Sequence, residues 1–439
     1  MDSMINSGWI ETMAQGKLER SLGILCHLTS LPEPYLSENG AIRFLHHLQE
    51  TGVSVWQMLP IHPPDPHGSP YASSSAFAGW ELFLPQDERE ITETEVTKFC
   101  EEQGGWVEEY ALFRVLKERF DEAPWTEWPE GCRTGTDCHL NGKEKLRFKE
   151  ICEQQARFNH AWMRFRKMAT SMGIRLYGDI PFFVSHDSAD VWSAPHRFYL
   201  DEGGKPTHVS GVPPDYFSDT GQRWGTPLYR WESHHDENFD WWVRRMRRMF
   251  DLFDLVRIDH FRAFESAWSI PANHPTAEYG QWETGPGDDL LKILKDTYPN
   301  GIIAEDLGII PKTVENLRNR YEIPGMAVLQ FSNEDADNPH HPENHKENMV
   351  VYTGTHDNDT TVGWGEKPVE LMIRNAMKSP AFLCIIPLQD VLQLGSEARM
   401  NTPGTTERNW RWNFEWNDLN CHSVEWFTEI ASESRPRTS

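Results

Sequence analysis

The sequence predicts an α/β protein built on a (β/α)8 TIM barrel, with inserted subdomains at the C-terminal face of its strands. Eight short apolar runs recur along the 439 residues, helical patterns separate them, and the connections between them differ greatly in length. Near-continuous apolar strands are typical of parallel sheets buried on both faces, and a count of eight favours a closed barrel. The runs span residues 23–30, 53–60, 174–184, 253–261, 301–308, 325–331, 349–357 and 382–392.

Four of the intervening segments show clear helical patterns. Residues 40–52 and 239–250 repeat apolar side chains at the spacing of one helix face. Residues 286–297 open with an acidic first turn, and residues 311–321 open on a proline, which suits the first turn of a helix. These segments predict crossover helices between parallel strands.

The same pattern divides the chain into three parts. We expect an N-terminal extension at residues 1–20, the barrel at residues 21–415 and a C-terminal tail at residues 416–439. The connections at about 61–173 and 185–252 hold far more than one helix. Loops at the C-terminal ends of barrel strands build substrate grooves, so we expect these two insertions there.

Composition and charge narrow the class of partner. The formal net charge is −25, from 42 basic and 67 acidic residues. That charge disfavours nucleic acid and anionic membrane as partners, because both are polyanions, and leaves neutral substrates open. No apolar stretch approaches the roughly 20 residues of a membrane span. The N-terminus lacks an apolar signal region, so we expect a cytoplasmic protein, with a plastid as the alternative.

The seven cysteines are an odd number, and none forms a CxxC pair or a zinc-type spacing. We therefore expect reduced, mostly structural thiols. A disulfide between Cys132 and Cys138, which bracket a glycine-containing loop, is the less favoured alternative.

Charged residues follow the apolar runs at one end of consecutive strands, where a barrel carries its catalytic groups. Asp179, Asp259, Glu305 and Asp357 stand at these ends. Any one of them alone could be half of a structural ion pair, but four at the same end of the barrel should converge on one pocket. Paired carboxylates suit glycoside chemistry, in which one attacks the anomeric carbon and the other protonates the leaving oxygen.

The residue spacing suggests how the two roles are divided. Arg257 lies two positions before Asp259, on the same strand face, and would keep that carboxylate ionised as a nucleophile. Glu305 caps an apolar run, where burial and a neighbouring carboxylate would raise its pKa and suit it to act as the acid.

A metal site is the rival interpretation of the same residues. The four carboxylates could hold a divalent cation at the barrel mouth, with His260 and His356 as further ligands. Spacing alone does not separate the two interpretations. The histidine-rich stretch HHPENH at 340–345 is a weaker candidate, because it reads as a solvated turn.

Longer motifs resemble those of one known family over residues 21 to about 413. They are SPYASSSAFAG (69–79), GDIPFFVSHDSADVW (178–192), GVPPDYFSDTGQRWGTPLY (211–229), RIDHFR (257–262), AEDLG (304–308), PGMAVLQF (324–331), YTGTHDNDTT (352–361) and LGSEARMNTPG (394–404). With these motifs the chain resembles the 4-alpha-glucanotransferases of the amylomaltase or disproportionating-enzyme type, glycoside hydrolase family 77. The resemblance implies transfer of α-1,4-glucan segments between maltooligosaccharide, starch or glycogen-derived chains, without metal or cofactor.

The resemblance also implies a role for each matching residue. Asp259 matches the nucleophile that forms a covalent glycosyl intermediate, Glu305 the general acid/base, and Asp357 the carboxylate that holds and distorts the sugar. Arg399 resembles a residue of the groove wall. With Asp179 added from the strand-end pattern, the predicted substrate-binding residues are Tyr71, Asp179, Asp215, Tyr216, Phe217, Gln222, Trp224, Arg257, His356, Glu397 and Asn401.

The chain departs from the family pattern in two shortened connections. Residues 80–105 and 365–381 are shorter than the family's usual segments, and Arg408 stands where a small residue is common. None of the predicted catalytic carboxylates is lost, so we expect the barrel to close and the outer groove to differ. Two alternatives stay open: an α-1,4-glucan hydrolase that uses the same carboxylates, and a glucan-binding relative without catalysis. The oligomeric state is also open.

Overall fold

Each of the eight apolar runs contains a strand in the computed structural model, which describes residues 20–85, 88–135, 137–214 and 218–434. Four further strands lie in the long connections. In chain order the strands are β1 Ser21–Leu25, β2 Val55–Gln57, β3 Arg175–Ile180, β4 His208–Val212, β5 Gln222–Pro227, β6 Leu255–Ile258, β7 Ser266–Pro271, β8 Gln281–Thr284, β9 Ile302–Ala304, β10 Gly325–Val328, β11 Met349–Tyr352 and β12 Leu383–Pro387.

The eight predicted strands form one parallel sheet in the order β10-β11-β12-β1-β2-β3-β6-β9. The two end strands approach each other, because the Ala304 N–H donates to the carbonyl of Pro324, just before β10, at 2.8 Å. The strand order follows the chain around a nearly closed barrel, which confirms the predicted fold class.

Strand periodicity sorts the barrel side chains into two sets. Leu255, Tyr177, Ile303 and Tyr352 belong to the cluster that fills the barrel, whereas their chain neighbours pack outward against the helices. Counting in steps of two from Leu255 leads to Arg257 and then to Asp259. In β3 and β9 the same alternation leads from interior apolar side chains to Asp179 and Glu305. The barrel interior therefore opens directly into the acidic mouth.

The four predicted crossover helices are confirmed to within a few residues at each end. Among the described residues the α-helices are α1 Ala41–Glu50, α2 Glu93–Glu102, α3 Trp106–Arg119, α4 Glu130–Arg133, α5 Gly142–Ser171, α6 Ala189–Ser193, α7 Trp231–Asp236, α8 Asp240–Leu252, α9 Gly287–Thr297, α10 Lys312–Arg320, α11 Thr361–Trp364, α12 Val369–Lys378, α13 Leu388–Val391 and α14 His422–Ser434. The first insertion is helical, and the last helix buries Val424, Phe427 and Ile430 against the barrel layer. No helix in the described part of the chain is long and apolar enough to cross a membrane.

A second sheet lies beside the barrel and was not predicted. Strands β5, β4, β7 and β8 pair antiparallel in that order, so the sheet joins the connection after β3 to the connection after β6. Its core is small, with Val209, Ile270 and Ala277 buried together. Strands such as HVSGV and QRWGTP lack the apolar alternation that signals a strand, which explains why the sequence did not reveal them.

The expectation of reduced thiols is wrong for one pair of cysteines. Cys132 and Cys138 form a disulfide across six positions, with their Cα atoms 4.6 Å apart. The short loop between them folds back on itself, because the Asp137 N–H donates to the carbonyl of Gly131 at 3.1 Å. Arg119 reaches both sulfur atoms and also the carbonyl of His139, so the loop is tied to the end of α3.

Candidate active site

Backbone hydrogen bonds continue past the ends of three neighbouring barrel strands and fix the first side chains beyond them. The Asp259 N–H donates to the carbonyl of Ile180 at 2.9 Å, and the Glu305 N–H donates to the carbonyl of Ile258 at 3.0 Å. Both carboxylates therefore start from ladder positions rather than from free loops. Asp179 lies in β3 itself and is fully buried.

Arg257 links two of these carboxylates. Its Nη1 donates to both oxygens of Asp179 at 2.8 Å, and its Nη2 lies 2.9 Å from Oδ1 of Asp259. Burial acts to lower the pKa of Arg257, but the two carboxylates outweigh it and hold that pKa well above its usual value. The guanidinium is therefore charged at every accessible pH. The Asp259 side chain keeps 32% of its surface exposed, so the ion pair leaves it open to the pocket.

Glu305 lies next to this ion pair in a different environment. Its Oε2 accepts the His260 N–H at 2.6 Å, and its Oε1 accepts the Leu307 N–H at 3.0 Å. Burial and the nearby Asp259 charge raise the pKa of Glu305 to about 8, against the opposing pull of Arg257. Near neutral pH the site thus contains an arginine-paired aspartate beside a protonated glutamic acid.

Asp357 stands on the loop after β11, on the other side of the mouth. Its Oδ1 accepts a hydrogen bond from Nδ2 of Asn401 at 2.6 Å and lies 3.3 Å from Nε2 of His356. Arg399 donates to the backbone carbonyls of Asp357 and Asn401 at 2.6 and 2.7 Å, which ties the two loops together.

Asp390 anchors the loop between β11 and α11, a role that the sequence did not suggest. It is fully buried and accepts hydrogen bonds from the Thr353 hydroxyl and from the N–H and hydroxyl of Thr361, at 2.6 to 2.7 Å. Its three bonds fix both ends of the loop that carries His356 and Asp357. An aspartate inside an apolar run, as in FLCIIPLQDVL, is the signal that could have revealed it.

Tyr71 reaches the site from the connection after β2. Its hydroxyl donates to Oδ2 of Asp179 at 2.7 Å, and its ring stacks on His356 with the centroids 5.1 Å apart and the planes 16° apart. Trp410 packs against both rings, at 5.7 Å from Tyr71 and 6.0 Å from His356. Trp410 was not predicted as a site residue, although the tryptophan-rich stretch NWRW begins five positions after the end of a recognised motif.

The remaining predicted residues differ in position. Trp224 lies edge-on to His260 with ring centroids 4.8 Å apart, and its Nε1 donates to Oε1 of Gln222 at 3.1 Å. Glu397 is exposed and accepts only the N–H of Gly395, so no described contact joins it to the carboxylates. Asp215, Tyr216 and Phe217 lie outside the described residues.

The metal interpretation gains no support from the described residues. No group of three or more His, Cys, Asp or Glu side chains among them is arranged to hold a metal ion. In the stretch 340–345, His340 Nδ1 accepts the Val328 N–H, and the two His345 nitrogens lie within hydrogen-bonding distance of the Ser379 hydroxyl and the His340 carbonyl. These histidines pair with the protein itself.

A parallel eight-stranded barrel with an arginine-paired aspartate and a protonated glutamic acid at its mouth defines an enzyme of the glycoside-processing class. The particular family follows from comparison with known proteins. A family model described as 4-alpha-glucanotransferase matches residues 26–94, 85–370 and 365–418. The chain belongs to the 4-alpha-glucanotransferase family, glycoside hydrolase family 77.

Individual relatives agree with this assignment. The chain is 40% identical to a 4-alpha-glucanotransferase of Thermus thermophilus, over 90% of this chain and 95% of that one. It is 39% identical to a chloroplastic/amyloplastic 4-alpha-glucanotransferase of Solanum tuberosum, over 90% of this chain and 82% of that one. Among solved structures, an amylomaltase from Streptococcus agalactiae in complex with acarbose superposes with a TM-score of 0.87 at 28% identity, covering 96% of this chain and all of that one.

The family match also bears on the two shortened connections. It is divided into three pieces whose junctions fall at residues 85–94 and 365–370. These junctions lie within the two stretches, 80–105 and 365–381, where the sequence departs from the family pattern. The match to the family model is thus interrupted at two connections outside the barrel strands.

Proposed function

We propose that this chain transfers α-1,4-glucan segments between maltooligosaccharide, starch or glycogen-derived chains by a retaining double displacement. The observation that carries the proposal is the pairing of Asp259 with Arg257 at 2.9 Å beside Glu305, whose pKa is raised to about 8. The arginine-paired carboxylate is thereby suited to act as the nucleophile, and the protonated one to act as the acid. Family membership supplies the substrate class.

In the first step, an Asp259 oxygen attacks the anomeric carbon and forms a glycosyl ester. Glu305 gives its proton to the departing glycosidic oxygen, so the leaving glucan departs as a neutral alcohol. In the second step, Glu305 takes the proton of an acceptor 4-hydroxyl, and that oxygen displaces Asp259 from the anomeric carbon. Each step forms one bond to carbon and breaks another, and no metal or organic cofactor takes part.

The other predicted residues receive roles in binding the sugar. Asp357 has 44% of its side chain exposed and is oriented by Asn401 and His356, which suits it to hold hydroxyl groups of the reacting sugar. The hydrogen bond to Asp179 holds Tyr71 in place, and the Tyr71 ring can pack against the same sugar. On the second sheet Trp224 is exposed and hydrogen-bonded to the half-buried Gln222, and we assign both to binding of the glucan.

The direct test is to incubate the purified chain with maltotriose and resolve the products by length. Glucose together with maltopentaose and longer oligomers is the expected result. Glucose and maltose alone would identify a hydrolase, in which water rather than a sugar hydroxyl reacts with the glycosyl intermediate. Glucan affinity without products would identify a binding protein without catalysis.

A substitution assigns the nucleophile. We expect Asp259→Asn to reduce turnover by about 10⁴-fold or more, because an amide cannot form the glycosyl ester. The matched control is Asp254→Asn: that carboxylate also pairs with an arginine, Arg166, at 2.8 Å, but it lies just before β6 at the far end of the barrel. Activity retained in Asp259→Asn would contradict the assignment.

The location in the cell is proposed from composition and relatives. We assign the protein to a cytosol, with a plastid as the alternative because one relative is described as chloroplastic/amyloplastic. Subcellular fractionation with an antibody to the chain distinguishes the two, and recovery in a secreted fraction would contradict both.

A further inference from the structure

Three aromatic rings form a cluster on one side of the carboxylates. Tyr71 and His356 stack at 5.1 Å, and the Trp410 ring lies against both, tilted by 41° and 37°. Trp410 is half-buried, so its ring forms a wall of the mouth rather than part of the closed core. The cluster joins three distant segments of the chain at a single place.

The backbone of Trp410 is held in a conformation that tryptophan seldom adopts. Its φ is +64°, in the left-handed region that disfavours residues with a bulky side chain. The Trp410 N–H donates to the carbonyl of Met400 at 2.8 Å. The preceding Asn409 is buried and accepts the Thr402 N–H at 3.0 Å while donating to the carbonyl of Thr405 at 2.8 Å. The loop 402–409 thus determines the Trp410 position, and such imposed strain gathers at functional sites.

Each of the two rings that Trp410 contacts makes a polar contact with a carboxylate. Tyr71 donates to Asp179, which holds Arg257 and through it Asp259. Nε2 of His356 lies 3.3 Å from Oδ1 of Asp357. A change in the Trp410 ring would therefore displace groups on both sides of the reacting sugar, although Trp410 makes no polar contact with any of the three proposed catalytic carboxylates in the described structure.

We propose that Trp410 is a positioning residue, which braces the stacked rings of Tyr71 and His356 so that the sugar beside them meets Asp259 in its reactive geometry. The inference rests on the proposed function, since it concerns turnover of the same site. The brace requires a flat ring, because Tyr71 and His356 contact Trp410 through their faces and edges. Misplacement of reacting groups by about 1 Å can cost about 10²-fold in rate.

The test compares Trp410→Phe with Trp410→Leu, two apolar replacements of which only the first keeps a ring. With maltotriose, we expect the leucine variant to lose about 10- to 100-fold in kcat with a change in KM of less than about threefold. We expect the phenylalanine variant to stay within about threefold of the unsubstituted chain in kcat. The control is Tyr279→Ala: that ring is 66% exposed and contacts His274 only among the described rings, so its kcat should not change.

Either of two results would overturn the proposal. Equal kcat values for the leucine and phenylalanine variants would show that the ring is not needed, and a loss confined to KM would make Trp410 a binding surface rather than a brace. Circular dichroism and thermal midpoints of both variants verify that the folded protein is compared. The unsubstituted chain is measured first, because absence of transfer there refutes the proposed function and not the role of Trp410.

Discussion

Replacing Asp179 with asparagine tests whether Arg257 must be held from two sides. The Asp179 carboxylate is fully buried and accepts three hydrogen bonds, two from Nη1 of Arg257 and one from the Tyr71 hydroxyl. Asparagine keeps the shape but loses the charge. With its carbonyl oxygen at the Oδ2 position, asparagine still accepts from Tyr71 and from Nη1 of Arg257, but its NH₂ group then faces the guanidinium, so Arg257 loses one of its two charge-assisted hydrogen bonds to residue 179.

The size of the effect follows from these contacts. Breaking a buried ion pair outright costs about 3–5 kcal/mol, and one charge-assisted hydrogen bond contributes about 1.5–3 kcal/mol. Arg257 keeps its contact with Asp259 at 2.9 Å, so we expect a cost smaller than that of a broken ion pair and close to that of one charge-assisted hydrogen bond, about 2–3 kcal/mol. For 439 residues the entropy of unfolding is roughly 0.9 kcal/mol per kelvin, which gives a thermal midpoint lower by about 2–3 °C.

Activity should fall more steeply than stability. Arg257 would form an ion pair with Asp259 alone and could rotate away from its position beside the nucleophile, so we expect a loss of about 10²-fold in kcat with maltotriose. Asp254→Asn is again the control, because it removes an arginine-paired carboxylate remote from the mouth and should lower the midpoint but not kcat. An Asp179→Asn variant with full kcat would show that Arg257 does not need ion pairs with both Asp179 and Asp259.

Three further predictions concern other parts of the chain. Because the pKa of Glu305 is raised to about 8, kcat/KM should fall as the pH rises through that value. The folded chain binds this proton more tightly than the unfolded chain, so the stability linked to it should be lost as the pH rises from the ordinary value of 4.5 to about 8; both slopes should disappear in Glu305→Gln, whose kcat/KM should be low at every pH. Arg408 is exposed with φ +65°, so Arg408→Gly should raise the free energy of unfolding by about 0.5–1 kcal/mol in denaturant titrations, and a decrease would contradict the strain. Cys132→Ser with Cys138→Ser should cost about 2 kcal/mol of stability, and a thermal midpoint of the unsubstituted chain that is insensitive to reductant would argue against the disulfide.

Periodicity made the acidic residues of the site predictable. Asp259 and Glu305 each follow an apolar run directly, and their parity within the strand assigns them to the barrel interior before any contact is known. The pairing of Arg257 with Asp259 follows from the same count of two. The bond from Arg257 to Asp179 does not, because it joins neighbouring strands that are 78 positions apart in the chain.

Residues that act from irregular loops were harder to predict. Trp410 carries no periodic signal, since it lies where the chain turns rather than where it repeats. Asp390 lies in the one-turn helix α13, which is too short to show a period, so its place inside an apolar run was its one signal. The second sheet was missed for a related reason: its strands are short and polar, and only their mutual pairing makes them strands. The disulfide depends on the folding of a seven-residue loop, which composition does not determine.

The eight-stranded barrel, the acidic mouth and the family could all be predicted before any contact was known, because each rests on local patterns that repeat or on long motifs. Tertiary structure alone decided which side chains meet across the mouth: the bridge of Arg257 between Asp179 and Asp259, the raised pKa of Glu305 and the ring cluster around Trp410. The physical reason is that burial and charge proximity are properties of packed neighbours. They arise only when segments remote in the chain are brought within a few ångströms of each other.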